Sequence, residues 1–75
     1  MTRLPVISGK KAVKVLEQNG FVIVRQRGSH IRVKKVMPEL TIKLTIPLHR
    51  TLDRGTLKSI IKSSGLTTEE FVELL

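Results

Sequence analysis

Gly28-Ser29 stands between two extended runs, and that placement restricts how this chain can fold more than any other feature. On one side, Phe21-Val22-Ile23-Val24 is β-rich and leads into Arg25-Gln26-Arg27. On the other, His30 to Val36 alternates Ile31 and Val33 with His30, Arg32 and Lys34. Two such runs parted by two residues, the first a glycine, read as a tight β-hairpin. A third run alternates Ile42, Leu44 and Ile46 with Lys43 and Thr45, so one face is buried and the other wet. Pro47 ends it, having no amide to donate to a ladder. Met37-Pro38-Glu39 is the expected connection between the second and third strands.

Helical patterns flank the strands. Ser8 reads as an N-cap, with Ile7 placed to staple against Ala12. Ala12, Val13 and Leu16 then form an apolar stripe, and Gly20 closes the helix. A loop over 48–54 carries His49 and Arg50. A second helix is expected over roughly Gly55 to Ser64, with Leu57, Ile60 and Ile61 inward and Gly65 as its stop. Thr67 with Glu70 matches a capping box, which starts a short last helix backed by Phe71, Leu74 and Leu75. The order α-β-β-β-α with a C-terminal helical extension predicts an α+β two-layer domain. It has a three-stranded antiparallel sheet, helices on one face and the other face open. No repeat or linker divides residues 1–75, so one domain is expected.

Charge narrows the partners. Fourteen Lys and Arg oppose six acids, for a net +8. All fourteen lie within residues 1–62, whereas Glu69, Glu70 and Glu73 crowd the last nine positions. A field of that sign captures polyanions, and nucleic acid is the expected partner. The alternatives are a merely soluble basic protein, or one lying beside acidic lipid. With no cysteine there is no disulfide or thiolate site, and two histidines alone make no zinc finger. Nothing in Met1 to Lys11 reads as a signal peptide, and no apolar stretch reaches bilayer length. The cytoplasm is the expected location, with no membrane partner.

The chemistry-bearing residues collect at the hairpin. With a two-residue turn, Arg27 lies opposite His30 and Arg25 opposite Arg32, and opposed residues share a face. Two facing arginines repel unless a phosphate sits between them; a one-residue bulge or splaying into water would also relieve them. Gly28 lets a ligand approach the backbone, and Ser29 offers a hydroxyl and an amide. His30 is the side chain suited to moving protons near neutral pH. RNA carries its own nucleophile, the 2′-hydroxyl, so cleavage asks only for a base, an acid and charge stabilisation. A turn histidine with no task is the plainer reading. His49 is a candidate second acid/base, against the simpler role of seating the second helix. Clustered carboxylates for a two-metal nuclease are missing: Glu17, Glu39 and Asp53 are scattered. No metal site and no cofactor are expected. Phe21 and Phe71 both read as core, so base stacking on aromatics is not on offer.

Val6-Ile7-Ser8-Gly9-Lys10, Asn19-Gly20-Phe21, Arg25-Gln26-Arg27-Gly28-Ser29-His30, Ile46-Pro47-Leu48-His49, Gly55-Thr56-Leu57-Lys58-Ser59-Ile60-Ile61 and Gly65-Leu66 together resemble the HicA family of toxin–antitoxin systems. The resemblance implies a fold like the double-stranded-RNA-binding domain and ribosome-independent cleavage of mRNA. The family histidine needed for toxicity matches His30. A HicB antitoxin, usually encoded beside the toxin and expected here to be acidic, would cover the active face. Many members carry a second histidine or an aromatic directly after the first; here Ile31 holds that position and is expected to point inward. The segment between strands two and three is also longer and more apolar than the family's short turn. The leading expectation is therefore a metal-independent endoribonuclease toxin with His30 as general acid/base. Gly28 and Ser29 would shape the site, while Arg25, Arg27, Arg32, Lys34 and Lys43 hold the RNA backbone. The alternatives are a non-catalytic binding module of the double-stranded-RNA type, and a protein-interaction domain that meets an acidic partner.

Overall fold

The computed structural model describes residues 3–75; Met1 and Thr2, part of the unit expected over 1–75, lie outside the described residues. Six elements follow in the expected order: α1 (Gly9–Gln18), β1 (Val22–Arg27), β2 (His30–Val36), β3 (Thr41–Pro47), α2 (Arg54–Ser64) and α3 (Thr68–Glu73). The three strands are antiparallel, in the spatial order β1-β2-β3. No helix among the described residues is long and apolar enough to cross a membrane.

Local chemistry sets each boundary. Ser8 Oγ accepts from the Lys11 amide at 3.0 Å and starts α1. Gly20, at φ 92, turns the chain out of it. Asp53 starts α2 one residue before the expected Gly55, because its carboxylate accepts from the Thr56 amide at 2.7 Å and from Thr56 Oγ1 at 3.0 Å. The α3 capping box closes in both directions, with Thr67 N–H donating to Glu70 at 2.8 Å and Glu70 N–H to Thr67 Oγ1 at 3.1 Å. The β2–β3 connection runs from Met37 to Leu40 rather than ending at Glu39. Met37 N–H donates to the Leu40 carbonyl at 2.8 Å, which leaves Pro38-Glu39 as a compact tip.

The core lies between the helices and one sheet face. Ile31, Val33 and Ile46 of the sheet, Ala12, Val15 and Leu16 of α1 and Leu57, Ile60 and Ile61 of α2 form one buried cluster, which Phe21 and Phe71 complete. Phe71, Leu16, Ile46, Leu57, Val15 and Val33 are the largest fully buried side chains; each contributes about 1.5–3 kcal/mol by leaving water. Ile31 points inward, as expected, and is 8% exposed.

One irregularity decides what the outer face presents. Arg25 pairs with Arg32, but the next pair is Ile23 with Val33, so Val24 is an extra residue in β1. Strict alternation would put Phe21, Ile23, Arg25 and Arg27 on one side of the strand. The bulge at Val24 reverses the sense. Ile23 now shares the inner face with Val33, and Phe21 is buried at 2% exposure, while Arg25 and Arg27 stay on the open side. β1 is an edge strand, and Val22, Ile23 and Val24 remain about half exposed there.

Candidate functional site

The hairpin turn joins β1 to β2 through Gly28-Ser29. Gly28 adopts φ 58 while Ser29 keeps a negative φ, the pattern of a type II′ turn, which suits strand twist. The turn fixes the register that follows. Arg27 faces His30 across the ladder and Arg25 faces Arg32, as expected from the two-residue turn, and the bulge falls beyond both pairs.

The outer face is thereby laid out in transverse rows. Arg27, His30 and Pro47 make the row nearest the turn; Arg25, Arg32 and Thr45 make the second; Val22, Lys34 and Lys43 make the third. Rows on one face lie about 7 Å apart, and neighbouring strands about 5 Å. Arg25, Arg27, His30, Arg32 and Thr45 line an open cleft of about 250 Å³ across the first two rows.

The expected site residues separate into groups. His30, Arg25, Arg27 and Arg32 come together in the cleft. Lys34 and Lys43 pair with one another one row farther out, on the same face but not lining the cleft. Gly28 and Ser29 form the turn at its end rather than its wall, and the Ser29 carbonyl accepts from the Leu48 amide at 2.6 Å. That bond ties the turn to the loop after β3. His49 does not line the cleft, and its electrostatic influence falls on Asp53. Its carbonyl accepts from the Gly9 amide at 2.9 Å, so its backbone serves the start of α1.

Asp53, the N-cap of α2, is a displaced titratable group. Its carboxyl is held below the usual carboxylate range, first by the hydrogen bond from the Thr56 amide, then by the Thr56 hydroxyl, with a lesser contribution from His49. Among the described residues, no three His, Cys, Asp or Glu side chains gather in a way that could hold a metal ion. A larger cavity of about 670 Å³ lies against the N-terminal ends of α2 and α3, lined by Arg3, Arg54, Lys58 and Glu69 among others. It mixes a carboxylate with its cations and has no histidine, so the smaller cleft is the better candidate for chemistry.

Thr45 is the lining residue that sequence reading missed. The alternation of β3 marks it as outward-facing, but only the pairing with Arg32 places it in the row beside His30.

What the sheet carries is a cationic cleft with one imidazole, set on the open face of a small α+β domain. A family model described as HicA toxin of bacterial toxin-antitoxin matches residues 9–66, from the start of α1 to just past α2. The chain belongs to the HicA toxin family. Membership carries with it an antitoxin partner. A comparison with curated proteins found no match.

Proposed function

We propose that this toxin is an endoribonuclease that cleaves mRNA without a metal ion, using His30 as general acid/base. The observation that carries the reading is the composition of the cleft: one imidazole with Arg27 across the ladder from it, Arg32 two residues along its own strand and Arg25 opposite Arg32. Three guanidiniums sharing one small cleft with no carboxylate among its lining residues repel one another. A bound phosphate relieves that repulsion and gains charge-assisted hydrogen bonds.

In the proposed reaction, His30 takes the proton from a ribose 2′-hydroxyl. That oxygen attacks the adjacent phosphorus, the bond to the 5′-oxygen breaks, and the leaving oxygen is protonated from solvent. The products are a 2′,3′-cyclic phosphate and a 5′-hydroxyl. The arginines stabilise the charge that builds on the phosphoryl oxygens. Lys34 and Lys43, one row away, hold the next phosphate of the strand. Gly28 and Ser29 act by fixing the turn that aims His30. His49 is left with the structural task of seating the loop before α2. An acidic HicB-like antitoxin encoded nearby would inhibit by covering the same face, and the cytoplasm, where mRNA is met, is the place of action.

Wild-type protein and His30→Ala, purified and incubated with end-labelled mRNA, test the reading. Loss of a general acid/base lowers the cleavage rate by about 10²–10⁴-fold, with RNA binding retained. Equal cleavage by both proteins would remove His30 from the mechanism. Tight binding with no cleavage by either would make the protein a non-catalytic RNA-binding module.

A further inference from the structure

We propose that the Thr45 hydroxyl is a substrate-reading group of the cleft: it accepts a hydrogen bond from a donor on the bound nucleotide and so selects what is held beside His30. The inference rests on the RNA reading of the cleft and goes beyond it by assigning a specificity determinant.

A nucleotide presents two kinds of hydrogen-bonding group. Its phosphate only accepts, and its ribose hydroxyls and base N–H groups donate. Arginine is the counterpart of the first kind alone, with five donors and no acceptor. Of the five residues lining the cleft, three are arginines. Only His30 and Thr45 can accept, and His30 is occupied with the 2′-hydroxyl proton in the proposed reaction. Thr45 is therefore the remaining lining side chain that can take a hydrogen bond from the substrate.

Its position suits the task. Thr45 is exposed on the outer face, in the same transverse row as Arg25 and Arg32 and one row from His30. The hydroxyls of Ser8, Thr56, Ser64 and Thr67 are engaged with the protein's own backbone or caps; that of Thr45 lies on the wall of the cleft. The strand itself has no need of the hydroxyl, since valine meets the β-branched preference equally well.

That equivalence makes the test clean. Thr45→Val removes the hydroxyl and keeps the shape, and Thr45→Ser keeps the hydroxyl and loses a methyl group. Each variant and the wild type are assayed for kcat and KM on four short RNAs that differ only at the nucleotide 5′ to the scissile phosphate. The same four are made with a 2′-deoxy sugar at the neighbouring nucleotide. If the donor is a base N–H, the wild type prefers one RNA by up to about tenfold. Thr45→Val erases that preference mainly through KM, and Thr45→Ser retains it. If the donor is a neighbouring ribose hydroxyl, Thr45→Val weakens all four alike, and the difference from wild type vanishes on the 2′-deoxy series. Dissociation constants for the same RNAs, measured in the His30→Ala background, give a second readout independent of turnover. Thr45→Val matching wild type in kcat, KM and Kd on every RNA overturns the inference while leaving the nuclease reading intact. Failure of the wild type to bind or cut any of them overturns both.

Discussion

Asp53 shows how much one side chain settles at the residue scale. It caps α2, takes two hydrogen bonds from Thr56 and sits in the field of His49, and each of these favours its charged form. Its carboxyl therefore ionises more readily in the folded chain than in the unfolded one. A group shifted in that direction stabilises the fold fully above the ordinary carboxylate range, and the contribution is lost as pH falls through the lowered folded value. Asn at the same position caps without a charge. Wild type is expected to melt above Asp53→Asn at neutral pH, and the gap is expected to close as the solution is acidified. A gap that stays constant across a pH series of thermal melts would show that the charge plays no part.

At the scale of elements, the site depends on contacts outside the sheet. Gly9, the first residue of α1, packs so closely on the loop after β3 that a Cβ there would run into the Pro47 carbonyl oxygen. Its amide donates to His49, and the next residue back in that loop, Leu48, donates to Ser29 in the hairpin turn. The helix start and the turn that aims His30 are thus fastened to the same three-residue stretch. Gly9→Ala is expected to destabilise the protein by about 1–3 kcal/mol, the range for forced overpacking, and to reduce RNA cleavage as well. Urea unfolding and the cleavage assay check the two effects; unchanged stability would mean that α1 can back away freely.

Much of this architecture is legible in the residues themselves. Ser8, the Thr67–Glu70 pair and the Gly28-Ser29 step each act within a few residues, so their consequences are local and can be read directly. The Val24 bulge is harder. Phe21 and Ile23 share strand parity with Arg25 and Arg27, a conflict that signals an irregularity without saying where it falls. Thr45 and His49 are harder still. Sequence order puts both near the end of β3, but only cross-strand pairing brings Thr45 beside Arg32, and only the path of the loop brings His49 within electrostatic reach of Asp53.

For the whole molecule, the governing quantity is the field of fourteen cations against six acids, five of those cations standing on one sheet face. If Arg25, Arg27, Arg32, Lys34 and Lys43 each neutralise one phosphate of a single strand, log Kd should rise with log salt at a slope of about 3.5. Replacing Arg25 and Arg32 with Gln should flatten the slope by about 1.4. Fluorescence anisotropy of the His30→Ala protein with labelled RNA measures both. A slope near zero would mean that the face does not engage the phosphodiester backbone.

The additional residue in β1 has a consequence for descent as well as for folding. Between the core phenylalanine and the arginine pair the strand holds one residue more than regular alternation needs, so losing that residue would leave Phe21 inward and the arginines outward on an unbroken ladder. A relative one residue shorter in this stretch would keep both its buried aromatic ring and its cationic cleft, on a strand with less local bend and twist.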